Sequence, residues 1–535
     1  MGSIVVNTLG AIPILCALYL LYTLLRFGSR DKRMPPGPRT IPILGNLHQM
    51  DMKNMHIQFK DWADQYGGVF SLKIGGGNMI VLSDPRAVHD LMNKKSAIYS
   101  DKPIDHQMLL CLQDENIAFM PSTQLWRAER KIASQSFSPK ALDERLSPIS
   151  EAEISQLMAD LLNTPENFRD HIKRATASAV SIATFGFRAP TMDNFFATAA
   201  YLGMDTFLEA VKPGTYLPIE QFPILKYIPD RWNPSIPRAK KCYETVTKLW
   251  AEARRRVEER RNNGDIRVSL ADRLISGDIK SDTPLSDRDV NHLLGAMLEA
   301  GADTTSTSSL IHILFLAKNT WVQEKARMEL DIVCGTARMP DWSDFKDLPY
   351  INCIIKEGMR IRPLVPTGVP HRVTQDDWYD GMFIPRDSTV IVPQYAMHFS
   401  RHCTSQIPHF KDPETYNPDR YLEHIRLAND YAGSPDFMNR DHYVYGAGRR
   451  ICVGIHLAER TQWRILARLL WAFKIEPAID ETTGLEIPID ADDFEVKFMN
   501  IPRTFKVQIK VRSARHAEVI RQDLEKVKDF LKSWN

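Results

Sequence analysis

The run YVYGAGRRICVG, residues 443–454, sets one thiol, Cys452, behind Gly446, Gly448 and two adjacent arginines, and before Gly454. Glycines here let the backbone turn tightly and leave room for a flat group to approach. Backbone N–H groups around the thiol, and the charge of Arg450 two residues away, favour a thiolate. Sulfur held as an anion suits a soft metal or an iron porphyrin. Taken alone, the same letters also describe a buried structural cysteine beside a glycine loop. A second unusual run is AGADTT, residues 300–305. Gly301 costs a helix interior about 1 kcal/mol against alanine, and Asp303 is expensive to bury. A packing notch with a local hydrogen bond is one explanation; a proton relay by Asp303 and Thr304 is the other. In KEGMR, Glu357 and Arg360 stand three apart and share a helix face, a pair worth very little on a surface. WRAER supplies Trp126 and Arg130, and PHRV supplies Arg372. Arginine's planar fork is suited to gripping a carboxylate.

These residues need elements to carry them. AGADTT falls inside VNHLLGAMLEAGADTTSTSSLIHILFLA, apolar on nearly all sides, which predicts a long buried helix from about Ser286 to Ala317. Ser286 and Asp289 have capping-box spacing at its start. VQEKARMELDIVC and LPYINCIIKEGMRIRP predict two further helices, and the largely apolar stretch after Cys452 another. GVFSLKIGGGNMIVLSDP (68–85) reads as a hairpin followed by a helix start. YDGMFIPRDSTVIVPQYAMH (379–398) is strand-like, and FEVKFMNIPRTFKVQIKVR (494–512) reads as a closing hairpin. Residues 151–274 are mostly helical in pattern, broken by the proline-rich run 211–237, an apolar loop of the kind that lies on a membrane or covers a pocket.

The bulk composition is ordinary for a large globular body: 535 residues, 44% hydrophobic and 25% charged. With 68 basic and 66 acidic residues, net charge +2 gives no hint of a nucleic-acid partner. Seven scattered cysteines with no CxxC pair support neither a zinc ribbon nor a cysteine-ligated cluster. Ile4–Leu25 carries no charge and as a helix reaches roughly 33 Å, enough for a bilayer core. Arg26, Arg30, Lys32 and Arg33 follow, which places the body in the cytosol under the positive-inside bias. The expected organisation is a membrane anchor with basic flank (1–33), a proline-rich hinge (34–46) and one catalytic body (47–535).

YGAGRRICVG resembles the haem-binding loop of the cytochrome P450 superfamily, whose pattern is Phe-x-x-Gly-x-Arg-x-Cys-x-Gly. Here Tyr445, Gly448, Arg450, Cys452 and Gly454 match, with tyrosine where phenylalanine is usual. The resemblance implies that Cys452 is the axial ligand to the iron of haem b. Arg450, Trp126, Arg130 and Arg372 would meet its propionates. The Tyr445 ring would sit near haem and sulfur, where its hydroxyl tunes the thiolate. Glu357 and Arg360 would be buried and completed by Arg420 of DPETYNPDRYL as a structural lock. Gly301 would make room over the iron, Thr304 would orient the oxygen species or its water, and Asp303 would relay protons. By the same similarity the substrate pocket takes in residues 104–119, Leu294, Met297, Leu298, Leu364, Val365, Val369 and the turn 499–502. The implied fold is mainly α with small β-sheets, preceded by a transmembrane helix. The implied protein is a single-pass enzyme of the endoplasmic reticulum membrane, a monooxygenase that receives NADPH-derived electrons from a separate NADPH-cytochrome reductase. Its style resembles fungal microsomal enzymes of secondary metabolism, with a lipophilic small-molecule substrate of terpenoid, polyketide or indole type. Two rivals remain at this stage: a haem-thiolate isomerase or dehydratase that needs no redox partner, and a non-catalytic haem sensor or membrane adaptor.

Overall fold

The computed structural model describes the backbone of residues 2–535 and the side chains of 12–495 and 497–535. Its principal helices, in chain order, are α1 (Gly2–Arg26), α2 (Gln124–Ser136), α3 (Ser147–Asn163), α4 (Phe168–Phe185), α5 (Phe195–Ala210), α6 (Ser235–Asn262), α7 (Asp287–Lys318), α8 (Pro349–Ile361), α9 (Ile455–Ala472) and α10 (Ala514–Lys532). α7 is the axis of the fold. It starts at the expected capping box: Ser286 Oγ accepts from the Asp289 N–H at 3.2 Å, and Asp289 Oδ2 accepts from the Ser286 N–H at 2.8 Å. Because α7 is apolar nearly all round, it can be buried on several sides, and two cores form along it. Leu310–Ala317 join α3, α8 and α9 in one, while Leu293–Ala302 join α4, α5 and α6 in the other.

Strands β1 (Val69–Ile74), β2 (Gly77–Leu82), β3 (His371–Arg372) and β4 (Thr389–Ile391) form a sheet in the order β1-β2-β4-β3. β1 and β2 are the expected hairpin, with Val69 opposite Leu82 and Ile74 opposite Gly77. Asp84 caps the turn of helix that follows, accepting from Ala87 N at 2.8 Å. The stretch 379–398 is less extended than its composition predicts: Tyr379 ends a strand (Asp377–Tyr379) paired with Met382–Ile384, Thr389–Ile391 is a strand, and Gln394–Phe399 is helical. Proline at 393 sits at the cap of that short helix, where its missing N–H costs nothing. The closing hairpin also divides. β6 (Phe494–Val496) pairs with β7 (Asn500–Pro502), but β8 (Val507–Val511) pairs antiparallel with β5 (Phe473–Pro477) directly after α9. α10 was not anticipated; Ser513 caps it, accepting from His516 N at 3.4 Å.

The membrane expectation is overturned. Among the described residues no helix is long and apolar enough to cross a membrane. The expected span begins at residue 4, and its side chains up to residue 11 lie outside the described residues. The transmembrane anchor, the membrane as partner and the single-pass reticulum localisation fall with it. Residues 34–46 run alongside β1: Ser71 Oγ donates to Pro35 O at 2.5 Å, Ser71 N to Pro36 O at 2.7 Å and Arg30 Nη2 to Gly37 O at 2.9 Å. The proline-rich run 211–237 lies over the β1–β2 turn, where a Cβ on Gly75 would come within 2.6 Å of the Phe222 ring.

Candidate functional site

Cys452 closes the loop that leads into α9. Its N–H donates to Tyr445 O at 2.9 Å, which folds the loop back on itself. Gly448 has φ +65°, and a Cβ there would lie 2.1 Å from Met92 O; only glycine allows that approach. Its N–H is fixed by Asn93 Oδ1 at 2.9 Å. At Gly454 the nearest atom to a built Cβ is Cys452 Sγ, 4.0 Å away, so the sulfur is uncrowded on that side.

The thiol faces a cavity of about 870 Å³, its open mouth included, lined by α3, α4, α7 and α9. Met297, Ala300, Gly301 and Thr304 of α7 share that cavity with Cys452 and Leu457. Their spacing of three and four puts them on one stripe of the helix. Ala300 and Cys452 carry accessible surface although protein surrounds them, because the surface they expose is that of the cavity. Burial pushes the Cys452 thiol up, while a Gly454 N–H bond and the Arg130 charge act in the opposite direction. A cation bound at the sulfur would tip that balance to the thiolate. Thr304 Oγ1 donates to Ala300 O at 2.6 Å. The built Cβ of Gly301 points at Val180 of α4, 3.0 Å away, so this glycine brings α4 close to the cavity wall.

Asp303 lies off that stripe. It is buried, with Lys173 of α4 and the exposed Asp205 of α5 as its charged neighbours. Burial, then the Asp205 charge, push its carboxyl up to about 6, and Lys173 opposes them. Asp303 therefore stands between the cavity helix and a polar surface patch.

At the edge of the cysteine loop stands a group of cations. Arg450 donates to Ser100 O (2.9 Å), Met120 O (2.9 Å) and Ser122 Oγ (3.0 Å), and its guanidinium lies 3.8 Å from the centre of the Trp126 ring. Trp126 is tied by its own Nε1–H to Ile117 O at 3.2 Å. Arg130 donates to Ile451 O. Arg372 pairs with Asp101 and lies 3.5 Å from Asp387. Lys102, which the sequence reading passed over, is 4% exposed and donates to Pro370 O at 2.9 Å. Among the described residues, Arg130, Arg450 and Lys102 make no ion pair with a carboxylate. Burial pushes Arg450 down to about 10, and burial with the Arg450 charge pushes Lys102 well down. Three desolvated basic groups without an ion pair fit a ligand that brings its own carboxylates. With an apolar cavity and a sulfur facing it, the donor set fits haem b. Nothing in the local sequence SDKP marks Lys102; only the fold shows that it is buried.

Glu357, Arg360 and Arg420 form a different kind of cluster. Arg360 grips Glu357 with Nε at 2.7 Å and Nη2 at 2.8 Å, and Arg420 Nε lies 3.0 Å from the same carboxylate. Asn417 N–H adds a fourth contact at 2.7 Å. Both Glu357 and Arg360 are 0% exposed. Of the expected pocket residues, Met297 lines the cavity, but Leu294 and Leu298 point into the core shared with Trp250. Leu364 is buried in the core around α8 and α9, while Val365 and Val369 are half-buried. The segment 104–119 lines a separate cavity that also touches Arg372, through Ile104, Met108 and Phe119 among others.

The family described as Cytochrome P450 matches residues 35–508 of this chain. Among curated proteins, the chain is 37% identical to the cytochrome P450 monooxygenase macC of Penicillium terrestre over 517 residues, 95% of each chain. It is 36% identical to the cytochrome P450 monooxygenase yanC of Aspergillus niger over 525 residues, 96% of each. A cytochrome P450 monooxygenase patI of Aspergillus clavatus is 35% identical over 512 residues, covering 95% of this chain and 94% of that one.

Proposed function

The chain belongs to the cytochrome P450 family and is a monooxygenase, and from that premise we propose the parts its residues play. Cys452 would hold the iron of haem b as a thiolate, and Trp126, Arg130, Arg372 and Arg450, joined by Lys102, would hold its carboxylates. The observation that carries this reading is that Cys452, in the loop before α9, and Gly301 and Thr304 of α7 line one apolar cavity. Haem supplies the reduction of dioxygen and the oxidising power. The protein supplies position, dryness and protons.

Thr304 sits on the cavity face with its hydroxyl donated to Ala300 O, which leaves its lone pairs to accept from a water held there. Asp303 takes protons from the Lys173–Asp205 side, and its raised carboxyl is poised to release them near neutral pH. The Glu357–Arg360–Arg420 lock fixes the segment that leads to the cysteine loop. Apolar walls at Met297, Val180 and Leu457 keep bulk water out and suit a lipophilic small molecule. The likeness to fungal monooxygenases supports a secondary metabolite intermediate as the substrate, with electrons from NADPH through a separate reductase.

The test is a carbon monoxide difference spectrum of the reduced, haem-loaded protein. Wild type should give the red-shifted band of a thiolate-ligated complex, and Cys452→Ser should not. Substrate-dependent NADPH consumption with an added reductase then reads the turnover. A wild-type protein that binds haem but shows no thiolate band would sink the assignment.

A further inference from the structure

The Tyr445 hydroxyl is where the chain departs from the family's phenylalanine. It accepts from Gln462 Nε2 of α9 at 3.4 Å. The same amide turns its oxygen toward α7: Ser308 Oγ donates to Gln462 Oε1 at 2.7 Å, and His312 Nε2 lies 3.3 Å from it. Ser308 Oγ and His312 Nε2 are themselves 3.3 Å apart. Burial pushes His312 down to about 4, so the ring is neutral and its Nε2–H donates to the amide oxygen. Gln462, Ser308 and His312 are 1%, 1% and 0% exposed. α8 is notched to admit them, since a Cβ on Gly358, inside the KEGMR run, would fall 2.2 Å from His312 Nδ1.

Two periodicities make this junction more than a buried polar cluster. Thr304, Ser308 and His312 follow one another at four-residue intervals, so they form a single stripe along α7 that starts at the cavity and ends at Gln462. On the other side, Tyr445 is the residue whose carbonyl receives the Cys452 N–H. The polar path thus runs from the cavity face of α7, through one glutamine, to the strand of chain that holds the thiol. No other residue makes hydrogen bonds to both the Tyr445 side chain and α7 among the described residues.

We propose that Gln462 is a positioning residue: its amide ties the cysteine loop to α7 and so fixes the width of the slot between Cys452 and Thr304. An apolar residue would fill the same space without setting that distance, because dispersion contacts are non-directional while an amide that accepts on one side and donates on the other is not. The inference rests on the haem-thiolate reading, and its test separates the two.

Gln462→Leu, Tyr445→Phe and the double variant are made in the full chain and compared with wild type. Two quantities are read: urea unfolding of the haem-free protein, and haem retention with the fraction of reduced carbon monoxide complex in the thiolate band. Gln462→Leu should retain haem about tenfold less well, the scale of losing an outer-shell partner of a metal ligand, and should move part of the complex out of the thiolate band. Tyr445→Phe should do less, and the double variant should match Gln462→Leu, because the second change removes a partner already lost. If Gln462→Leu unfolds more easily but holds haem and the thiolate band like wild type, the glutamine is merely structural and the proposal is overturned. If Gln462→Leu simply fails to fold, Ser308→Ala and Gln462→Glu decide. The alanine should show a partial loss, and the glutamate, which keeps the acceptor, should restore retention; wild-type retention in the alanine variant overturns the tie. Absence of the thiolate band in wild type would instead overturn the reading on which it rests.

Discussion

The Glu357–Arg360–Arg420 lock and the cations beside the cysteine loop contain the same side-chain types in opposite states. In the lock every charge is answered: one buried carboxylate receives two arginines and a backbone N–H, and Arg360 and Arg420 use their remaining donors on carbonyls such as Pro413 O and His409 O. Beside Cys452, Arg130, Arg450 and Lys102 are desolvated and donate only to carbonyls and a hydroxyl, while the nearby Asp101 makes its ion pair with Arg372 instead. A closed charge cluster serves the fold. An open one fits a ligand that brings its own carboxylates.

Perturbations should therefore separate cleanly between the two regions. The largest effect belongs to the cavity: Cys452→Ser should abolish NADPH-coupled turnover and the thiolate band, while urea unfolding of the haem-free chain stays near wild type. Next comes the lock. Glu357→Ala strands two buried guanidinium groups and should cost about 3–5 kcal/mol of unfolding free energy, with haem incorporation failing as a consequence. Arg450→Leu inverts that pattern. Retention of haem should fall about 10- to 100-fold, whereas the haem-free chain should lose no stability, since an unpaired desolvated cation has been removed. An Arg450→Leu protein destabilised as strongly as Glu357→Ala would erase the contrast.

The smallest effect is a pH dependence at Asp303. Its folded carboxyl is raised to about 6 from an ordinary value of 3.8, so the folded state favours the protonated form. The stability it contributes is complete below about pH 4 and is lost as the pH rises through 6. Against Asp303→Asn, wild type should thus lose about 3 kcal/mol at most across that window, read by urea unfolding at several pH values. A difference that does not change with pH would mean the carboxyl titrates normally and is not set between the cavity and the surface patch.

Much of the site could be read from local spacing. The glycine loop around Cys452, the pairing of Glu357 with Arg360, and the Ser286–Asp289 cap all depend on residues within a turn or two of one another, and all three geometries stand as their spacing predicts. Helix rotation was harder. Leu294, Met297 and Leu298 are equally apolar and all join the core around Trp250, and only the placement of the surrounding helices decides that Met297 alone of the three also lines the cavity. The span from residue 4 to 25 shows the same limit from another side: an uncharged run states that a helix prefers apolar surroundings, and does not by itself establish one that crosses a bilayer.

From its letters alone the chain determined which atoms can do chemistry: one thiol in a glycine loop, an acid–alcohol pair in a buried helix, and a carboxylate with a guanidinium one turn away. Backbone geometry fixes such neighbours, so spacing is enough. Tertiary structure alone decided what those atoms meet. It brought Arg420 to Glu357 across some sixty positions of chain, sent β8 to β5 instead of the nearer strand, buried Lys102 without an ion pair and set Gln462 between Tyr445 and α7. Each of those meetings depends on how distant segments share volume in the core, and shared volume is a property of the whole packing that no local pattern carries.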